Sequence, residues 1–82
     1  MLQDLIRDLN HDQRSKLKER GISRINLSQW RTGDRLPTEV QVADLADVTG
    51  AEWSDLQKEI TVMRAPETRR ADIAKAIGWR RR

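Results

Sequence analysis

The sequence predicts an all-α fold, and three observations predict it. Gly21, Gly33, Gly50 and Gly78 each follow a stretch of helical composition, where a left-handed residue closes a helix at small steric cost. Between these marks apolar residues recur about every 3.6 positions, the period of a helix with one buried face. Alternation with period two, the signature of a strand, is confined to Val40-Gln41-Val42, behind a helix cap.

Each element follows from local signals. Leu2, Leu5, Ile6 and Leu9 form the stripe of a first helix over 2–10. A second, over 12–20, stops before Gly21, and a third, over 23–32, is capped by Ser23. Thr38, with Gln41 three residues on and Pro37 just ahead, opens a fourth over 38–49 whose stripe is Val42, Leu45, Ala46 and Val48. Trp53, Leu56, Ile60 and Met63 mark a fifth over 52–64. Pro66 fits the first turn of a sixth over 66–77, where Ala71, Ile73, Ala74 and Ile77 make a weaker stripe.

The 82 residues are 37% hydrophobic and 35% charged, enough for one small core and too few for a two-domain enzyme. The expected organisation is a domain over 1–63 and a C-terminal helix with a basic tail over 64–82. No cysteine is present, which excludes disulfides, thiolate metal sites and cysteine nucleophiles. His11 is the only histidine, so a two-histidine metal site is excluded too. There is no glycine-rich phosphate loop, and the acids between 39 and 59 read as solvated helix faces. The expectation is a non-enzyme with no cofactor and no metal. No run approaches the roughly 20 apolar residues of a membrane span, and the start lacks a basic segment followed by an apolar one, so a chain that is neither exported nor membrane-bound is expected.

The formal charge of +3 is unevenly placed. Residues 13–35 carry seven Lys and Arg against Glu19 and Asp34, a net +5, whereas residues 36–63 carry six acids against Lys58, a net −5. Residues 64–82 return to +5, ending in Arg80-Arg81-Arg82. A basic segment set apart from an acidic one favours a polyanionic partner.

The basic segment has an internal logic. A helix ending at Gly21, a turn through Ile22 and a new helix capped by Ser23 bury Leu17, Ile22, Leu27 and Trp30, the skeleton of a helix-turn-helix. With Leu27 and Trp30 inward, the 100° step per residue turns Arg24, Ile25, Ser28 and Gln29 outward. Arg pairs with guanine and Gln with adenine, while Ile25 or the Ser28 methylene meets a thymine methyl. Arg31 at the far end suits phosphate, as do the helix starts near Gln13, Arg14 and Ser23, with their positive half-dipoles and free amides.

From Gly21 to Ile60 the chain resembles the Cro/C1-type helix-turn-helix family of phage repressors and bacterial regulators. The likeness is carried by Ser28-Gln29-Trp30-Arg31-Thr32-Gly33-Asp34-Arg35-Leu36-Pro37 and by Val42-Ala43-Asp44-Leu45-Ala46-Asp47-Val48-Thr49-Gly50-Ala51-Glu52-Trp53. Leu17 departs from it, standing where that family usually has a small residue. The small size and Arg64-Ala65 look most like short phage-encoded repressors. The resemblance implies a five-helix lambda-repressor-like domain plus a C-terminal helix, acting as a sequence-specific regulator, most often a repressor, in the cytoplasm and nucleoid of a bacterial host. It implies base contacts from Arg24, Ile25, Ser28 and Gln29. It also implies phosphate contacts from Gln13, as the first residue of the second helix, and from Arg31, Thr32 and Arg35.

One half-site read by a few side chains binds weakly, so a homodimer on a dyad operator is expected. Its interface is expected within residues 52–79, through Trp53, Leu56, Ile60, Met63, Ile73, Ile77 and Trp79. Two alternatives keep the same fold. One is an antitoxin-type autoregulator whose C-terminal helix engages a toxin, and the other a helical adaptor or antirepressor without DNA contacts.

Overall fold

The apolar stripes become six α-helices in the computed structural model, which describes residues 1–79. They are α1 (Leu2–Arg7), α2 (His11–Glu19), α3 (Arg24–Thr32), α4 (Glu39–Thr49), α5 (Trp53–Arg64) and α6 (Arg70–Ile77), with a 3-10 turn over Glu67–Arg69 leading into α6. No strand occurs among the described residues, so the all-α class stands. No helix among them is long and apolar enough to cross a membrane. Arg80-Arg81-Arg82, the end of the basic tail, lies outside the described residues.

Three successive helices begin with the same reciprocal device. Asn10, Ser23 and Thr38 each accept the amide hydrogen of the residue three positions on, while Gln13, Asn26 and Gln41 accept the amide hydrogen of the cap. Two of the orphan donors at each helix start are thereby satisfied, and each such cap contributes on the order of 1 kcal/mol. These boxes also set where the expected boundaries move. The Asn10 cap starts α2 at His11, so α1 stops at Arg7 rather than running to 10, and Leu9 reaches the core from the connection. The sixth helix likewise starts late: the chain after Pro66 first makes a tight 3-10 turn, and the α-helix begins at Arg70.

One cluster forms the core. It joins Leu2, Ile6 and Leu9 to Leu17, Ile22, Leu27 and Trp30, and these to Val42, Leu45, Ala46, Leu56 and Ile60. α1 packs on α3, α2 on α4, α4 on α5, and α5 on α6. Trp30, 2% exposed, is the largest side chain inside it, so the helix that turns Ile25 outward is anchored by the bulkiest residue of the core.

Two of the residues expected at a dimer interface are corrected here. Leu56 and Ile60 are 0% exposed within one chain, because both face the core from α5, and they have no surface left for a second copy. Trp53 is 46% exposed, while Met63, Ile73, Ile77 and Trp79 are partly buried.

Polar ties complete the packing, and one corrects the reading of the acids as wholly solvated. Glu59 is buried, and its two carboxylate oxygens accept the amide hydrogen of Leu2 at 3.1 and 3.2 Å. A carboxylate from α5 therefore caps α1, whose own Met1 cap offers no side-chain acceptor. Arg64 donates to the carbonyl of Pro37. Arg70 donates to the carbonyls of Ala65 and Met63 at 3.2 and 3.3 Å, joining the start of α6 to the end of α5.

Candidate nucleic-acid interface

The link between α2 and α3 is built to hold α3 at a fixed angle. The amides of Gly21 and Ile22 donate to the carbonyls of Lys18 and Leu17 at 3.0 and 2.9 Å, wrapping the chain back over the last turn of α2. Gly21 takes a φ of +85°, which side chains rarely adopt, and Ile22, 1% exposed, plugs the turn from inside. Ser23 then opens α3, which buries Leu27 and Trp30. The opposite side presents Arg24, Ile25 and Ser28 to solvent, with Ile25 69% exposed and Gln29 half-buried beside them. An isoleucine left that open on a well-anchored helix is surface without a structural partner among the described residues.

The four expected base-contact residues do not form one row. Arg24 and Ser28 share a stripe of α3 with Arg31, and this stripe lines a cleft of about 320 Å³ with Arg7 and Arg14. Ile25 lies on the other side of Arg24 and borders a wider groove of about 860 Å³ between α2 and α3, along with His11, Ser15 and Lys18. Arg14 and Arg24 line both concavities and stand between them. Gln29 lines neither.

Several expected phosphate contacts are redirected by local hydrogen bonding. Gln13 is the third residue of α2 rather than the first, which is His11, and its side-chain oxygen accepts the Asn10 amide hydrogen at 2.9 Å. Ser23 donates both its amide and its hydroxyl hydrogens to Asn26 Oδ1, at 2.9 and 2.8 Å, so neither is available to a ligand. The Thr32 hydroxyl points back to the carbonyls of Ser28 and Gln29 at 3.2 Å. In each case a polar group at a helix end satisfies the backbone first. Arg31 and Arg35 remain exposed, and neither guanidinium forms an ion pair among the described residues.

Charge is redistributed in the same way. Arg20, at the end of α2, bonds Asp47 at 2.7 Å and Asp44 at 3.2 Å, and these bonds, that to Asp47 foremost, hold its pKa above the ordinary arginine value. It therefore belongs to the contact with α4 and drops out of the basic surface. Arg14, Lys16, Lys18, Arg24, Arg31 and Arg35 stay uncompensated by any carboxylate among the described residues. Arg24 is notable because it occupies the first turn of α3, the positive end of the helix, where no acid accompanies it. Every other α-helix has an acid in its first turn. A cation there is disfavoured by roughly 0.3–1 kcal/mol, so the helix itself gives no reason for it.

Arg7, His11, Ser15 and Lys18 are surface elements that sequence reasoning passed over. The last three recur at i, i+4 and i+7 on one face of α2, a signal present in the sequence. Arg7 carried none, since its place depends on α1 crossing α3. Comparison with protein-family models, with curated proteins and with solved structures found no match to this chain.

Proposed function

We propose that this chain binds double-stranded DNA in a sequence-dependent way, as a Cro/C1-type helix-turn-helix regulator whose α3 enters the major groove. The observation that carries the reading is the α3 surface: Ile25 and Gln29 lie beside Arg24 and Ser28 on a helix fixed from beneath by Leu27 and Trp30, with uncompensated cations on both flanks. The cations supply the sequence-independent attraction to phosphate, and the outward polar and apolar groups supply discrimination among bases.

The regulator acts as a repressor, occupying an operator as a homodimer so that two copies of α3 meet successive turns of one face of the duplex. Trp53, Met63, Ile73, Ile77 and Trp79 supply the dimer contact in this reading, since they keep apolar surface in the single chain. Selection of bound fragments from a random duplex pool at physiological salt tests the whole reading. Enrichment of a sequence with dyad symmetry is the expected result; a pool that stays random after repeated rounds would overturn it.

A further inference from the structure

The cleft of about 320 Å³ where α1, α2 and α3 meet receives an arginine from each of the three helices, and no carboxylate lines it. Arg14 enters from α2, while Arg24, Ser28 and Arg31 come from one stripe of α3. Arg7 completes the rim from α1, but its charge is already answered by Asp4 and Asp8 at 3.2 and 3.3 Å. The other three guanidinium groups have no acidic partner among the described residues, so an anion in the cleft would meet positive charge that nothing else among those residues answers.

The cleft is also held in shape. Arg14 Nε and Nη2 donate to the carbonyls of Leu9 and Ile6 at 3.4 and 3.3 Å, at the end of α1, which fixes the planar fork and leaves its other N–H donors over. Gln3 Nε2 donates to the Arg31 carbonyl at 3.1 Å, tying α1 to the last turn of α3. The Ser28 hydroxyl makes no hydrogen bond among the described residues.

We propose that this cleft holds one phosphate group, gripped by Arg14, Arg24 and Arg31 with Ser28 donating its hydroxyl hydrogen. Resting on the nucleic-acid reading above, the group is a phosphodiester of the duplex backbone, so that α1 as well as α3 borders the DNA. Arg24 then holds backbone, and base discrimination falls to Ile25 and Gln29.

The test compares Arg14→Gln, Arg31→Gln and the double variant with the unaltered protein and with Lys75→Gln, which removes an equal charge from the exposed side of α6, away from the cleft and from α2 and α3. Binding to a mixed-sequence duplex is followed by anisotropy across a salt series, thermal melting checks the fold, and inorganic phosphate is titrated while the Ser28 and Arg31 amide resonances are recorded. Each single variant is expected to flatten the slope of log affinity against log salt by about one, and the double variant by no more than either alone, because they share one phosphate. Lys75→Gln leaves the slope unchanged, and inorganic phosphate shifts both amides in the unaltered protein but not in the double variant. Should Arg14→Gln melt early, the exposed Arg31→Gln carries the comparison by itself.

Unchanged slopes in the single variants, or a double variant equal to their sum, would overturn the shared site. Duplex binding that fails while inorganic phosphate still moves the Ser28 amide would remove the DNA assignment and leave a free-phosphate site. If neither ligand binds, both the site and the DNA reading fall.

Discussion

Glu59 accepts the amide hydrogen of Leu2 through both of its carboxylate oxygens, a bond between residues 57 positions apart in the chain. The carboxylate sits at the positive end of α1, and α1 packs on α3. A residue of the fifth helix thus helps to seat the helix that braces the candidate DNA surface.

Glu59→Ala is expected to destabilise the fold by ~2 kcal/mol, because a charge-assisted bond is lost and a buried amide is left without its acceptor. Glu59→Gln, which keeps an oxygen acceptor, loses less. Urea unfolding gives both values, and faster amide exchange confined to α1 would distinguish this cap from a general loss of packing.

Gly21→Ala tests the turn. A β-carbon there meets no atom within 4 Å, so the penalty comes from the φ of +85° alone. The expected loss is about 1 kcal/mol of stability, with duplex affinity per folded molecule unchanged. A loss of affinity without loss of stability would mean that the turn itself touches the ligand.

Gln29→Ala and Arg35→Ala should separate reading from holding. Gln29→Ala is expected to cost ~1–3 kcal/mol for the selected operator and little for random duplex. Arg35→Ala weakens every duplex alike and flattens the salt slope by about one. Gel-shift titrations on both kinds of duplex check each outcome, and a uniform loss in Gln29→Ala would remove it from the reading surface.

Two tryptophans should part company. Trp30→Ala empties the centre of the core and is expected to cost ~3–5 kcal/mol, enough to leave much of the population unfolded. Trp53, 46% exposed, has far less buried area to lose within the chain. Trp53→Ala is therefore expected to lower dimer content in sedimentation more than it lowers the melting temperature, and an unaltered dimer would place the contact elsewhere.

The helices were legible because their signals are local: the Trp53–Met63 spacing, the Thr38 and Gln41 pair, and the glycines that follow α2, α3, α4 and α6 need only a few residues of context. Asn26 was missed as the partner of Ser23 because a capping box is ordinarily read from Glu or Gln. Glu59 was illegible for a different reason. Among so many charged neighbours it reads as solvated, and only the arrival of α1 buries it. The outward face of α3 followed from Leu27 and Trp30, but its division between two concavities follows from α1 and α2, whose crossing is a long-range property. The same holds for Leu56 and Ile60: apolar spacing tells that a face is covered, not whether the covering is the same chain or another copy.

The three capping boxes bear on how the chain acquires its shape. Each joins residues three apart, so the starts of α2, α3 and α4 close small loops with little entropy to overcome, a topology that favours refolding in microseconds to milliseconds. The bond between Glu59 and Leu2 instead requires distant parts of the polypeptide to meet. Acquisition of structure would then run from the middle outward, with the first helix docking last.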